Sequence, residues 1–170
     1  MNKVRVLTAT ALLLSFISQP LWAGYEKGLA AIKRHDFKTA VKEWMPLAKK
    51  GNTDIQATLA VLYHTGQGVK QDYKRAFHWY RQAAQGGNVA AQANLGVMYA
   101  KGTGTARDYV KSYAWYSVAA DALSIDKLGS ALWGIDYLAT QMSAAQLKKA
   151  KQLTAELTRK YSAKLKLIKK

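Results

Sequence analysis

The chain has 170 residues, with 26 Lys and Arg against 10 Asp and Glu, a formal net charge of +16 and no cysteine. The missing cysteine excludes disulfides and a lipid-modified cysteine anchor, so stability has to come from packing alone. The basic excess favours anionic partners by steering and counterion release, and carries no information about the fold.

Residues 1–23 read as a secretory signal. Lys3 and Arg5 form a positive start, Val6 to Ile17 is mostly apolar around Leu12, Leu13 and Leu14, and Leu21-Trp22-Ala23 ends on a small residue, with cleavage expected after Ala23. About a dozen apolar residues fall short of the roughly 20 that a membrane-spanning helix requires. Removing Lys3 and Arg5 leaves 24 basic and 10 acidic side chains, a net +14 over 24–170. The expected location is periplasmic or secreted, with no transmembrane segment after cleavage. The anionic partners open to such a chain include lipopolysaccharide, anionic lipid, acidic polysaccharide and the acidic face of a protein; no nucleic-acid specificity is indicated.

From there on, residues 36 positions apart repeat. Gln56, Tyr63, Gly66, Gly68, Asp72, Trp79, Tyr80, Ala83 and Ala84 return as Gln92, Tyr99, Gly102, Gly104, Asp108, Trp115, Tyr116, Ala119 and Ala120. A fixed step of this length marks stacked helical hairpins. The opening unit, 24–52, shares only the second half of the pattern, through Asp36, Phe37, Ala40, Trp44, Ala48, Gly51 and Asn52, and its loop is four residues shorter than the later ones.

Two full units follow, 53–88 and 89–123. Each opens with an apolar 3.6-residue period (Ala57, Ala60, Val61 and His64; then Ala93, Gly96, Val97 and Ala100), which predicts an inner helix. Gly66-Gln67-Gly68 and Gly102-Thr103-Gly104 supply the turn, since glycine tolerates positive φ. Asp72 and Asp108 are placed to cap the second, outer helix. Its aromatic and small residues, Tyr73, Ala76, Phe77, Tyr80, Ala83 and Ala84 and their counterparts, serve packing between hairpins. Gly86-Gly87-Asn88 ends the helix and starts the next unit. The closing unit, 124–170, is degenerate: a helix over Ile125 to Gln141, then a Ser143-Ala144-Ala145-Gln146 capping box opening a last helix with Leu147, Ala150, Leu153, Leu157 and Tyr161 inward.

The residues offer little to a catalytic reading. His35, His64 and His78 share no ligand spacing, and the recurring aspartates are explained as caps. Gly102-Thr103-Gly104 lacks the lysine and hydroxyl residue of a phosphate loop. The Trp79-Tyr80 and Trp115-Tyr116 pairs are core by their helical spacing, whereas Trp133 has no counterpart in the repeat.

The string Ala93-Asn94-Leu95-Gly96-Val97-Met98-Tyr99, followed by Gly-x-Gly, Asp-Tyr, Trp-Tyr and Ala-Ala, resembles the Sel-one-like repeat, a relative of the tetratricopeptide repeat. The resemblance implies an all-α chain: a right-handed α/α solenoid of helix-turn-helix units, with a tetratricopeptide-like first unit and a C-terminal capping helix. It further implies a scaffold that binds proteins and is not an enzyme, without cofactor. Cysteine-rich exported relatives are associated with penicillin binding or weak lactam hydrolysis, and this chain departs from them in having no cysteine.

In the resembled families the inner helices line the concave side. That puts Leu29, Lys33, Thr58, Val61, His64, Asn94, Val97 and Lys101 in a partner-binding groove, expected to be apolar with basic edges and suited to a protein or peptide with apolar anchors and acidic flanks. The C-terminal segment carries a second expectation. From Ser143 to Lys170 there are nine basic residues against Glu156 alone, and Lys160, Lys164, Lys166, Lys169 and Lys170 are candidates to touch an anionic envelope surface.

Overall fold

The computed structural model describes residues 22–122 and 129–168, with side chains given for 22–122 and 134–161. Among these residues every regular element is a helix: α1 at 22–33, α2 Phe37–Lys49, α3 Thr53–Thr65, α4 Tyr73–Gln85, α5 Val89–Lys101, α6 Tyr109–Ala122, α7 Gly129–Thr140 and α8 Ala144–Ile168. From α2 to α7 each helix packs on its successor, and the long α8 lies back against α6. This is the stacked α/α arrangement expected from the 36-residue step, with a terminal helix covering the last outer helix. Most of the expected signal, 1–21, lies outside the described residues, as does the start of the helix expected from Ile125. No described helix is long and apolar enough to cross a membrane.

Local chemistry repeats as faithfully as the sequence. Asp36, Asp72 and Asp108 accept from the backbone N–H of Thr39, Arg75 and Lys111 at 3.1, 2.9 and 3.0 Å, capping α2, α4 and α6. In the two full units the third helical residue folds back: Arg75 and Lys111 pair with their aspartates at 3.3 and 2.8 Å and lie over the rings of Tyr63 and Tyr99. Burial raises the Asp108 pKa, but the hydrogen bonds from Lys111 and its charge outweigh that and hold the carboxyl below its ordinary value. Its contribution to stability is therefore complete above the unfolded carboxylate pKa and fades as pH falls toward the lower folded value. Asp108→Ala should cost about 1 kcal/mol at neutral pH, as loss of an N-cap does, and the deficit should shrink in denaturant melts repeated at acid pH.

The inner helices α3 and α5 are capped by the residues that reverse the chain just before them. Gly51 and Gly87 provide the stop at φ 94° and 98°, while Asn52 and Asn88 accept from Ile55 and Ala91 at 3.0 and 2.8 Å. In the shortened first hairpin, His35 takes the left-handed position at φ 59° in place of a glycine.

Small residues set the spacing between helices. Gly28 lies directly under the Trp44 ring, and a Cβ on Gly96 would fall 2.8 Å from Tyr116, so α1 and α5 each present a gap to the aromatic of their own outer helix. Between units, Gln56 donates to the carbonyl of Ala48 at 2.8 Å and Gln92 to that of Ala84 at 3.3 Å, both buried. These amides tie the end of one outer helix to the next inner helix. The α8 cap carries the expected box: Ser143 N–H donates to Gln146 Oε1 at 2.9 Å and Gln146 N–H to Ser143 Oγ at 3.3 Å. Further along, Tyr161 is buried against Trp115, ring centroids 5.7 Å apart.

Candidate functional site

Repeat-related helices run in the same direction, so the first turns of the inner helices share one edge and their last turns the other. Leu59, Ala60, Leu62 and Tyr63 of α3 face inward, as do Leu95 and Met98 of α5. That leaves Ala57, Thr58 and Val61 of α3 and Asn94 of α5 on the opposite side. There they line a hollow of about 380 Å³ between α3 and α5, with Tyr80 of α4 and Asn88 contributing from behind. Val61 is 40 % exposed, unusual for a valine on a helix whose other large apolar residues are covered. Burial pushes the Tyr80 hydroxyl up to about 12, so the phenol stays protonated across the physiological range.

Thr58, Val61 and Asn94 thus meet in one place. His64 lies one turn beyond, edge-on to Tyr73 at 5.2 Å and to Tyr80 at 6.4 Å, with Nδ1 buried and without a hydrogen-bond partner. Val97 and Lys101 continue along α5 outside the lining of the hollow. Leu29 packs into the cluster formed by the first hairpin and α3, and Lys33 is exposed at the end of α1. Lys160 is exposed, its ammonium 5.7 Å from the centre of the Tyr161 ring. The side chains of Lys164 and Lys166, and all of Lys169 and Lys170, lie outside the described residues, although the backbone stays helical to Ile168.

The lining departs from the basic-edged groove expected. Its charged member is Asp54, whose Oδ1 accepts from Asn88 Nδ2 at 2.9 Å and so joins the start of α3 to the cap of α5. Asp54 sits where the positive end of the helix dipole favours a carboxylate, and Lys33 and Lys101 sit at C-terminal ends, where it favours a cation. The inner face is therefore polarised across its width. Asp54, Tyr80 and Asn88 were missed as lining residues because sequence periodicity assigns them to a first turn, a core and a chain reversal. Among the described residues no group of His, Asp and Glu is arranged to hold a metal ion.

The Sel1 repeat model matches residues 56–88 and 89–122, the two units whose caps, turns and glutamine ties coincide. These two units are Sel1 repeats. A protective antigen of uropathogenic Escherichia coli strains displaying an SLR fold is similar at 29% identity and a TM-score of 0.73, over 85% of this chain and 31% of that one. A Sel1 repeat protein from Oxalobacter formigenes is similar at 28% identity and a TM-score of 0.61, over 73% of this chain and 96% of that one. The chain thus spans about a third of the E. coli antigen's length. No curated protein matches it. As a Sel1-repeat protein it is a helical scaffold of a kind that typically mediates protein interactions.

Proposed function

We propose that this Sel1-repeat chain is an exported adaptor of the bacterial envelope that holds a segment of another protein against the hollow between α3 and α5. The observation that carries the reading is the exposed Val61 beside Ala57 and Ala90, bordered by the amides of Asn88 and Asn94. One apolar anchor with hydrogen-bonding groups around it is the chemistry by which repeat scaffolds take up an extended or helical peptide. An anchor seated on Val61 would carry its acidic neighbours toward Lys33 and Lys101 and a basic or neutral one toward Asp54. The reading assigns the chain no catalytic step.

A photocrosslinking residue at position 61, introduced in cells, should trap one partner. The same probe at His78, exposed on the outer helix α4, should not trap it. Ala57→Arg fills the hollow and should weaken capture at least about tenfold, the consequence of one displaced, well-buried anchor. Equal trapping from positions 61 and 78, or capture indifferent to Ala57→Arg, would remove the hollow from the interaction.

A second reading rests on α8, which exposes Lys148, Lys149, Lys151, Arg159 and Lys160 with Glu156 as the acid among them. This side of the chain is suited to an anionic envelope component.

A further inference from the structure

Two positions of α4 recur 36 residues later on α6 with different side chains and different surroundings. In the α4–α5 seam Phe77 meets Tyr99 edge-on at 5.3 Å, and the Arg81 guanidinium covers the Phe77 ring at 5.9 Å. One repeat later Phe77 has become Tyr113 and Arg81 has become Ser117. Both α7 and α8 pack on α6, and beside Tyr113 and Ser117 it is α8 that brings Thr154, Ala155 and Thr158. With the covering arginine gone and small side chains opposite, an open cleft of about 460 Å³ remains between α6 and α8.

Its lining combines three kinds of group. Tyr113 brings an aromatic ring and a hydroxyl, and Ser117 a second hydroxyl. Thr154 donates to the Ala150 carbonyl at 3.0 Å and Thr158 to Asp121 at 3.1 Å, so both threonine oxygens are left as acceptors. Lys151 and Arg159, exposed and two helical turns apart on α8, add two cations, against which Asp121, engaged by Thr158, is the single carboxylate. An aromatic ring suits the C–H side of a pyranose, hydroxyls exchange hydrogen bonds with sugar hydroxyls, and a guanidinium or ammonium takes a carboxylate with a charge-assisted bond.

We propose that the α6–α8 cleft binds an acidic oligosaccharide, with a sugar ring against Tyr113 and its carboxylate between Lys151 and Arg159. This rests on the reading of α8 as anion-facing and narrows it to one pocket and one ligand class. A flat lipid surface would use the exposed lysines without the cleft, and an acidic peptide would leave the hydroxyl array largely unmatched.

The probe is a size-defined oligogalacturonate titrated calorimetrically into the full-length chain, with the neutral oligosaccharide of equal length and anionic phospholipid vesicles as comparisons. The acidic sugar should bind saturably, and the neutral one should not. Ser117→Arg restores the cover of the preceding repeat. It should weaken binding about tenfold or more although it adds a positive charge, a result opposite in sign to that of a purely electrostatic surface. Since Ser117 is half-buried, the exposed pair Lys151→Gln with Arg159→Gln serves as a second variant and should lose a similar amount, whereas Lys148→Gln with Lys149→Gln, outside the cleft, should change little. Binding that ignores Ser117→Arg and instead follows Lys148 and Lys149, or vesicles bound with no sugar bound, would overturn the cleft and leave an anion-facing α8. Binding of neither probe would overturn both.

Discussion

Gly104→Ala should destabilise the fold by about 3 kcal/mol or more, against about 1–2 kcal/mol for Gly87→Ala, because only the first combines a left-handed backbone with a blocked Cβ site. Gly104 has φ 73° and its missing Cβ would collide with the carbonyl of Tyr73, at the first turn of the preceding outer helix. Gly68 makes the same contact one unit earlier, against the backbone of Phe37 and Lys38. The turn inside each hairpin is thus also the joint to the hairpin before it, and a side chain there must either push two units apart or distort a helix start. Gly87, at φ 98°, has nothing within 4 Å and bears only the conformational strain. Thermal melts followed by circular dichroism should separate the two substitutions by about 5 °C or more for a domain of this size. Midpoints agreeing within about 2 °C would show that the close approach of Gly104 contributes nothing, leaving its repetition unexplained.

That joint shows where sequence reasoning stops. The positions of Gly66, Gly68, Gly102 and Gly104 announced a turn because glycine permits positive φ, and the helices flanking them followed from apolar period and capping residues. The pattern could not show that the second glycine of each pair presses on another unit, since that depends on how far apart the hairpins stack. The inner face was legible in outline for the same reason. Residues 58, 61 and 94 fall on the unburied side of their helices by period alone, whereas Asp54, Tyr80 and Asn88 enter the lining through a neighbouring helix, a cap and a cross-unit hydrogen bond. Charge was the least legible part. Lys33 and Lys101 suggested basic edges, but helix polarity places them at C-terminal ends and sets a carboxylate at the start of α3. The α6–α8 cleft arises from a comparison of two copies of one position, Arg81 and Ser117, which matters only once α8 is known to occupy the seam opposite.

Trp44→Ala should produce the other large effect, about 3–5 kcal/mol, as expected for emptying a buried aromatic site. Trp44 is 4 % exposed, its ring lies on Gly28, its Nε1–H donates to the Tyr25 carbonyl at 3.2 Å, and its ring centroid is 6.5 Å from that of Tyr25. It is thus the principal tie between α1 and α2, and no larger side chain at 28 could fill the space without moving the backbone. In a stack whose units touch only their neighbours, such a loss is felt first by its own hairpin and is attenuated with distance. Hydrogen exchange should therefore show amides of α1 and α2 losing protection at denaturant concentrations where those of α5 and α6 retain it. The two buried clusters support this division: one joins the first hairpin to α3, the other runs from α3 through α6 to Tyr161 of α8. Met45, Val69 and Trp79 pack against both and are the route by which damage would spread. Uniform loss of protection along the chain would mean that these shared residues couple the clusters into one cooperative unit, and the α3–α5 hollow would then depend on the first hairpin for its shape.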